Sequence, residues 1–226
     1  MKNIFTFYIL LLLGFFLNAQ NLKSPDNNLD LNFIIDEKGR AFYSLNFHDK
    51  PVILNSGLGF MLKDNVEWMK IDTLDMMNNF KILNVTFDSV DEYWNPVWGE
   101  ESEIRNNYNE MFVELQQIES ERKVNIRFRL FDDSLGFRYE FPLQEKLGSF
   151  IIIDEKTEFA MAGDHTAMWI PGDYDTQEYN YTTSKLSEIE QKSIERGKCF
   201  NVQILELGSP DSINDEITKW TIHKYP

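Results

Sequence analysis

The segment VNIRFRLFDDSLGFRYEF, Val124 to Phe141, decides the fold. Val124, Ile126, Phe128 and Leu130 alternate with Asn125, Arg127 and Arg129. That period of two sends one face of a strand into a core and the other into water. DDSLG, Asp132 to Gly136, then breaks the pattern with residues that supply turn dihedrals and local hydrogen bonds. FRYEF resumes the alternation, so these residues predict an antiparallel hairpin.

The same pattern extends outward. LDLNF from Leu29, AFYSLNF from Ala41 and FKILNVTF from Phe80 carry apolar residues at near-alternate positions. The turn signals DEKGR (Asp36 to Arg40) and HDKP before Val52 lie between them. A meander of such hairpins predicts an all-β fold, a large antiparallel β-sandwich. Helical signal is weaker. SEIRNNYNEMF, Ser102 to Phe112, is expected to form a turn or two of helix. SKLSEIEQKSIERGK, Ser184 to Lys198, is expected to form a short C-terminal surface helix closed by Gly197.

A chain of 226 residues is long enough for one large domain with a sizeable core. Its 22 basic and 37 acidic residues give a net charge of −15, which repels phosphate backbones and argues against a nucleic-acid partner. No glycine-rich phosphate loop points to a nucleotide. The first residues, MKNIFTFYILLLLGFFLNAQ, pair Lys2 with an apolar run from Ile4 to Leu17 and a small residue, Ala19. Residues 1–19 therefore read as a signal peptide. The run is shorter than the roughly 20 residues a membrane span requires, so a periplasmic or secreted location is expected, with no membrane span after cleavage. The single cysteine, Cys199, has no partner for an internal disulfide.

Four groups of residues carry side chains suited to chemistry. Trp94 and Trp98 lie near Glu100, Glu101 and Arg105, and indole rings beside charged hydrogen-bonding groups suit the apolar faces and hydroxyl rims of sugars. Packing in the core or at a domain interface is the commoner fate of tryptophan. Glu100, Glu101 and Glu103 do not read as a glycosidase pair, because adjacent residues on an extended chain point to opposite faces. His48, His165 and His223 are scattered without metal-ligand spacing, and His165 reads as structural. PGDYDTQEYNY, Pro171 to Tyr181, places Asp173, Asp175 and Glu178 close together. They are hard oxygen donors for calcium in a loop that lacks EF-hand spacing; composition alone favours an ordinary solvated acidic loop.

SPDNNL (Ser24 to Leu29), PVWGEESEIRNNYNE (Pro96 to Glu110), IRFRLFDDSLGFRYEFP (Ile126 to Pro142) and GDHTAMWIPGDYDTQEYNYTTSKLSEI (Gly163 to Ile189) closely resemble the N-terminal domain of glycoside hydrolase family 97. They look most like its secreted, starch-utilising α-glucosidases. The resemblance implies a β-sandwich of the super-sandwich type that packs against a catalytic (β/α)8 barrel. It also implies an active-site calcium ion to which the N-terminal domain gives one glutamate, matched here by Glu178 in TQEY. The implied ligand is an α-linked glucan or oligosaccharide, with Trp94, Trp98 and Trp169 as candidate sugar-stacking residues.

The family's acid and its base or nucleophile are barrel residues. No alternating strand and helix pattern follows Ile189, so the chain reads as the family domain cut off before the barrel and inactive alone. Residues 20–190 are assigned to the sandwich and 191–226 to a divergent tail of unknown structure. A sandwich lacking strands would expose an edge. Two other roles compete with this one: a stand-alone periplasmic sugar-binding module, and a structural interaction domain for a separate partner.

Overall fold

The structure, a computed structural model, describes residues 19–64, 73–148, 150–171, 179–190, 192 and 202–208. It is an all-β protein of antiparallel sheets. β1 (Gln20–Lys23), β2 (Leu29–Ile35), β3 (Ala41–Phe47) and β4 (Lys50–Leu58) form a meander. A three-stranded sheet contains β5 (Phe60–Asp64) and β6 (Thr73–Met76), with β11 (Phe150–Glu155) on the far side of β5. The long β7 (Phe80–Trp94) and β8 (Ile104–Gln117) continue through β9 (Lys123–Leu130) and β10 (Leu135–Glu140) in another four-stranded meander.

The alternation read from the sequence is what closes the sandwich. Leu29, Leu31 and Phe33 of β2 and Tyr43 and Leu45 of β3 are fully buried, as are Met111 and Val113 of β8 and Phe128 and Leu130 of β9. All belong to one cluster. Phe128 joins the two meanders: its ring centroid lies 5.8 Å from that of Phe33 and 6.3 Å from that of Tyr43. Each such side chain contributes roughly 1.5–3 kcal/mol by leaving water. Phe60 carries the three-stranded sheet into the same core, 4.3 Å from Tyr139.

The turns follow their residues. His48 and Asp49 both have positive φ, 46° and 62°, in the two-residue connection between Phe47 and Lys50. That geometry matches the right-handed twist of the flanking strands. In DEKGR, Asp36 accepts hydrogen bonds from the backbone N–H groups of Lys38 and Arg40. Gly39 takes φ +71° at the point where the loop meets Phe80.

Two helical expectations are corrected. SEIRNNYNEMF is strand: from Ile104 it belongs to β8, paired in register with β7 from Trp94↔Ile104 inward. Its many asparagines are weak helix formers, and Asn109, Met111 and Val113 alternate with Tyr108, Glu110 and Phe112 across the two faces. The proposed C-terminal helix begins later than expected. Thr182–Lys185 is strand β13, Leu186–Glu188 forms a 3-10 turn, and Ile189, Glu190 and Lys192 are helical. Asp164 accepts from both the Ser187 backbone N–H and hydroxyl at 2.9 Å, fixing that turn. Gly197 and most of the remaining segment lie outside the described residues, as do residues 1–18 of the expected signal peptide, Cys199 and His223.

A last sheet has the order β13, β12 (Thr166–Pro171), β14 (Val202–Gly208). β14 lies within the segment the sequence left without structure, and it pairs antiparallel with β12. Among the described residues no helix is long and apolar enough to cross a membrane.

Candidate functional site

Two regions hold the candidate residues, and different elements build them. The first is the outer end of the β7–β8 ribbon. β9 pairs with β8 only as far as Asn109↔Leu130. Beyond it β7 and β8 continue as a pair, from Val90↔Tyr108 to Trp94↔Ile104. Arg105 holds this arm together across the strands, donating from Nε and Nη2 to the two carboxylate oxygens of Asp91 at 2.7 Å each. The Arg105 hydrogen bonds pull the Asp91 carboxyl below its usual range. At the far end Asn95 donates to the Ser102 carbonyl at 2.7 Å.

Trp94 is 49% exposed, while Val97 and Trp98 at the end of the arm are 99% and 88% exposed. The sequence pairing of these indoles with Glu100, Glu101 and Arg105 therefore survives as shared membership of one projecting arm. Glu100, Glu101 and Glu103 are exposed there. Phe87 and Tyr93 on β7, which the sequence did not single out, are also more than half exposed.

The second region is β12, which precedes the acidic segment PGDYDTQEYNY in the sequence. Trp169 lies here, and its place corrects the sugar-stacking assignment: it is fully buried against Ala167 and Ile189, with no ring face open to a ligand. Its indole Nε1 donates to Ser184 Oγ at 3.0 Å. The backbone of His165 is equally structural: its N–H donates to the Gly163 carbonyl and its carbonyl accepts from Leu186. Asp173, Asp175 and Glu178 lie outside the described residues. Among the described residues, no group of three or more His, Cys, Asp or Glu side chains is placed to hold a metal ion.

Sequence reading missed an ionic network on the outer face of β8, β9 and β10. Glu110 is buried between Arg127 and Arg129, accepting from Arg127 Nη1 and, at 2.8 Å, from Arg129 Nε. Arg127 also donates to Glu140 at 2.7 Å, and Arg138 donates to Glu140 at 2.8 Å. The guanidinium groups of Arg127 and Arg129 each lie 4.3 Å from a ring centroid, those of Phe112 and Tyr108. Every charge in this row has a partner within it, so it reinforces the sheet. Its signal in the sequence was the Arg-x-Arg of β9, whose partners are visible only once strand register is known.

Comparison with known proteins adds to this geometry. Residues 22–215 match the profile of the family described as Glycosyl-hydrolase 97 N-terminal. A retaining alpha-galactosidase of Bacteroides thetaiotaomicron is 24% identical over 217 residues, covering 91% of this chain and 29% of that protein. A Glycoside Hydrolase Family 97 enzyme from Pseudoalteromonas sp. strain K8, solved with acarbose, superposes with a TM-score of 0.66 at 34% identity over 75% of this chain and 25% of its own. A variant of that enzyme solved with panose gives 0.64 at the same identity. A beta-arabinopyranosidase at 22% identity and TM-score 0.62 shares the fold. This chain spans 24–29% of the length of these relatives. With residues 22–215 matched to the family profile, the chain belongs to the Glycosyl-hydrolase 97 N-terminal family.

Proposed function

We propose that this chain is the carbohydrate-associated N-terminal domain of a family 97 α-glycosidase of α-glucosidase type. The observation that carries the reading is the agreement of fold and sequence with the Pseudoalteromonas enzyme, TM-score 0.66 at 34% identity. That enzyme was solved with acarbose and, as a variant, with panose, at 34% identity over about three quarters of this chain, while the alpha-galactosidase is 24% identical over 91% of it. Neutral α-linked gluco-oligosaccharides are accordingly the substrate class. Hydrolysis takes place in a catalytic barrel against which this domain packs. The chain is exported to the periplasm or secreted.

In this reading Glu178 reaches across the domain interface as one carboxylate ligand of an active-site calcium ion. A calcium site takes 6 to 8 oxygen ligands, and the described residues gather no cluster of their own. One carboxylate fits the role of a contributor whose companions come from the barrel. When bound, the ion supplies charge that orients hydroxyl oxygens and shifts neighbouring pKa values. This chain's own contribution is positional: Trp169, Ser184 and the pairing of β12 with β13 anchor both sides of the loop that carries Glu178.

The test joins the chain to the remainder of the Pseudoalteromonas enzyme. The purified chain alone is expected to leave a chromogenic α-glucoside intact, whereas the fusion hydrolyses panose. Calcium is expected to raise the melting temperature of the fusion, and Glu178→Gln to reduce that rise. Turnover by the isolated chain would sink the domain reading, and an unchanged calcium shift in Glu178→Gln would sink the ligand assignment.

A second reading, a free-standing sugar-binding module, draws on the exposure of Trp94 and Trp98. It requires tryptophan emission to respond to millimolar maltooligosaccharide in the isolated chain.

A further inference from the structure

The outer end of the β7–β8 ribbon is built unlike the rest of the sandwich. Past Asn109 no strand among the described residues pairs with either side of it. A two-stranded antiparallel ribbon standing alone is marginal in water. This one nevertheless ends in Tyr93, Trp94, Val97 and Trp98, all about half exposed or more. A Cβ built on Gly99 meets nothing within 4 Å, so the chain at the tip stands clear of the body.

Small-ligand sites are concave, with apolar walls that enclose most of the ligand. A projecting ribbon with apolar side chains at its end has the complementary shape: it enters a cleft. Exposed aromatic residues of this kind are also the groups enriched in buried protein interfaces.

We infer that the β7–β8 arm is a docking arm that inserts its Trp94, Val97 and Trp98 end into a cleft of the catalytic body of a family 97 glycosidase. This rests on the domain reading above, and two further observations select the occupant. The first is length: the solved enzymes that this chain superposes on are about four times the span it covers, leaving a large body for the arm to meet. The second is charge. Between Asp88 and Arg105 the arm carries Asp88, Asp91, Glu92, Glu100, Glu101 and Glu103 against Arg105 alone. Another copy of this acidic chain, at net charge −15, is therefore repelled, and a cleft with a basic rim is attracted. The dense carboxylates around the tip keep the free domain soluble, while the apolar end supplies the buried centre of the contact.

The experiment compares the isolated chain with a fusion in which the whole chain replaces the matching N-terminal part of the Pseudoalteromonas enzyme. Each carries either the double change Val97→Ser and Trp98→Ser or, as a control, Leu143→Ser at a fully exposed residue on a different loop. The double change is expected to leave the melting temperature of the isolated chain in place, because both side chains are already in water. In the fusion it is expected to lower the melting temperature by about 5 °C or more, the scale of losing a buried aromatic contact. Leu143→Ser is expected to move neither.

A fusion that hydrolyses panose but melts identically with and without the double change would overturn the docking arm and leave the domain reading intact. Two results on the isolated chain would also overturn it, by assigning the arm elsewhere. One is concentration-dependent dimerisation abolished by the double change. The other is a panose-induced shift in tryptophan emission that Trp98→Ser removes.

Discussion

The indole N–H of Trp169 donates to Ser184 Oγ at 3.0 Å, and the same hydroxyl donates onward to the Lys185 carbonyl at 3.0 Å. This bridge ties β12 to β13, the strands that flank the acidic segment in the sequence, since Ala167 and Ser184 are paired in register. Removing the hydroxyl leaves a buried N–H without its acceptor, which costs about 1–3 kcal/mol. Ser184→Ala is therefore expected to lower stability by that amount in urea unfolding, and Trp169→Ala by about 3–5 kcal/mol because it also opens a cavity. A Trp169→Ala variant as stable as the parent would show that the indole is not a core side chain.

The contrast between this tryptophan and those of the arm shows where sequence reading stops. β2, β3 and β9 were legible because their apolar residues alternate cleanly, as in VNIRFRL. Around Trp169 the run AMWI is apolar at every position, so periodicity cannot say which side chains point inward. Burial does: Ala167 and Trp169 are fully buried, while Met168 between them is more than a third exposed. The helical reading of SEIRNNYNEMF failed for a related reason. Its polar residues find partners across the strand pair, Arg105 with Asp91, Asn106 with Glu92 and Asn109 with Ser89, and that register is invisible before β7 is placed beside it. Glu178 was assigned by its match to a family motif, a signal that neither composition nor alternation carries.

Acid should destabilise the fold through identifiable carboxylates. Hydrogen bonds from Arg127, against the opposing effect of burial, and then from Arg138 hold Glu140 below its ordinary value of 4.5. Burial pushes Asp26 up, but hydrogen bonds from Ser24 and Asn28 outweigh it and hold that carboxyl low. Asp36 behaves likewise, with burial opposed by the Arg40 and Lys38 hydrogen bonds. In each case the folded state binds the proton less readily than the unfolded state. The stabilisation is therefore fully present above the unfolded value and lost as pH falls through the lower folded value. The melting temperature is expected to begin falling below about pH 4.5, with a shallower fall in Glu140→Gln. An unchanged slope in that variant would remove Glu140 from the account.

Gly39 is required by both conformation and space. Its φ of +71° lies where L side chains are strained, and a Cβ there would sit 2.4 Å from the Phe80 nitrogen. The close approach is used: Phe80 N–H donates to the Gly39 carbonyl and Asn79 N–H to that of Lys38, both at 2.9 Å. The β2–β3 turn is thereby pinned to the start of β7. Gly39→Ala is expected to cost about 1–3 kcal/mol in thermal unfolding, with early loss of hydrogen-exchange protection at Asn79 and Phe80. Full protection at both amides would show that the turn yields without disturbing β7.

The edge strand β11 presents Ile151, Ile152 and Ile153 in succession, each close to half exposed. Its pairing with β5 shifts register between Ile152 and Asp154, so Ile153 is the extra residue of a bulge. A bulge twists an edge away from further strands, and a charge on the edge discourages pairing by the cost of desolvating it. Between Phe150 and Ile153 the strand carries no charge, which leaves it a template for pairing with another chain. Ile151 lies opposite Lys63, so a glutamate there would place opposite charges across the pair, an arrangement worth roughly 0.2–1 kcal/mol. Ile151→Glu is expected to slow the growth of light scattering on heating while leaving the unfolding midpoint nearly unchanged. A midpoint lowered by several degrees with unaltered scattering would mean that Ile151 packs within the domain and that aggregation starts elsewhere.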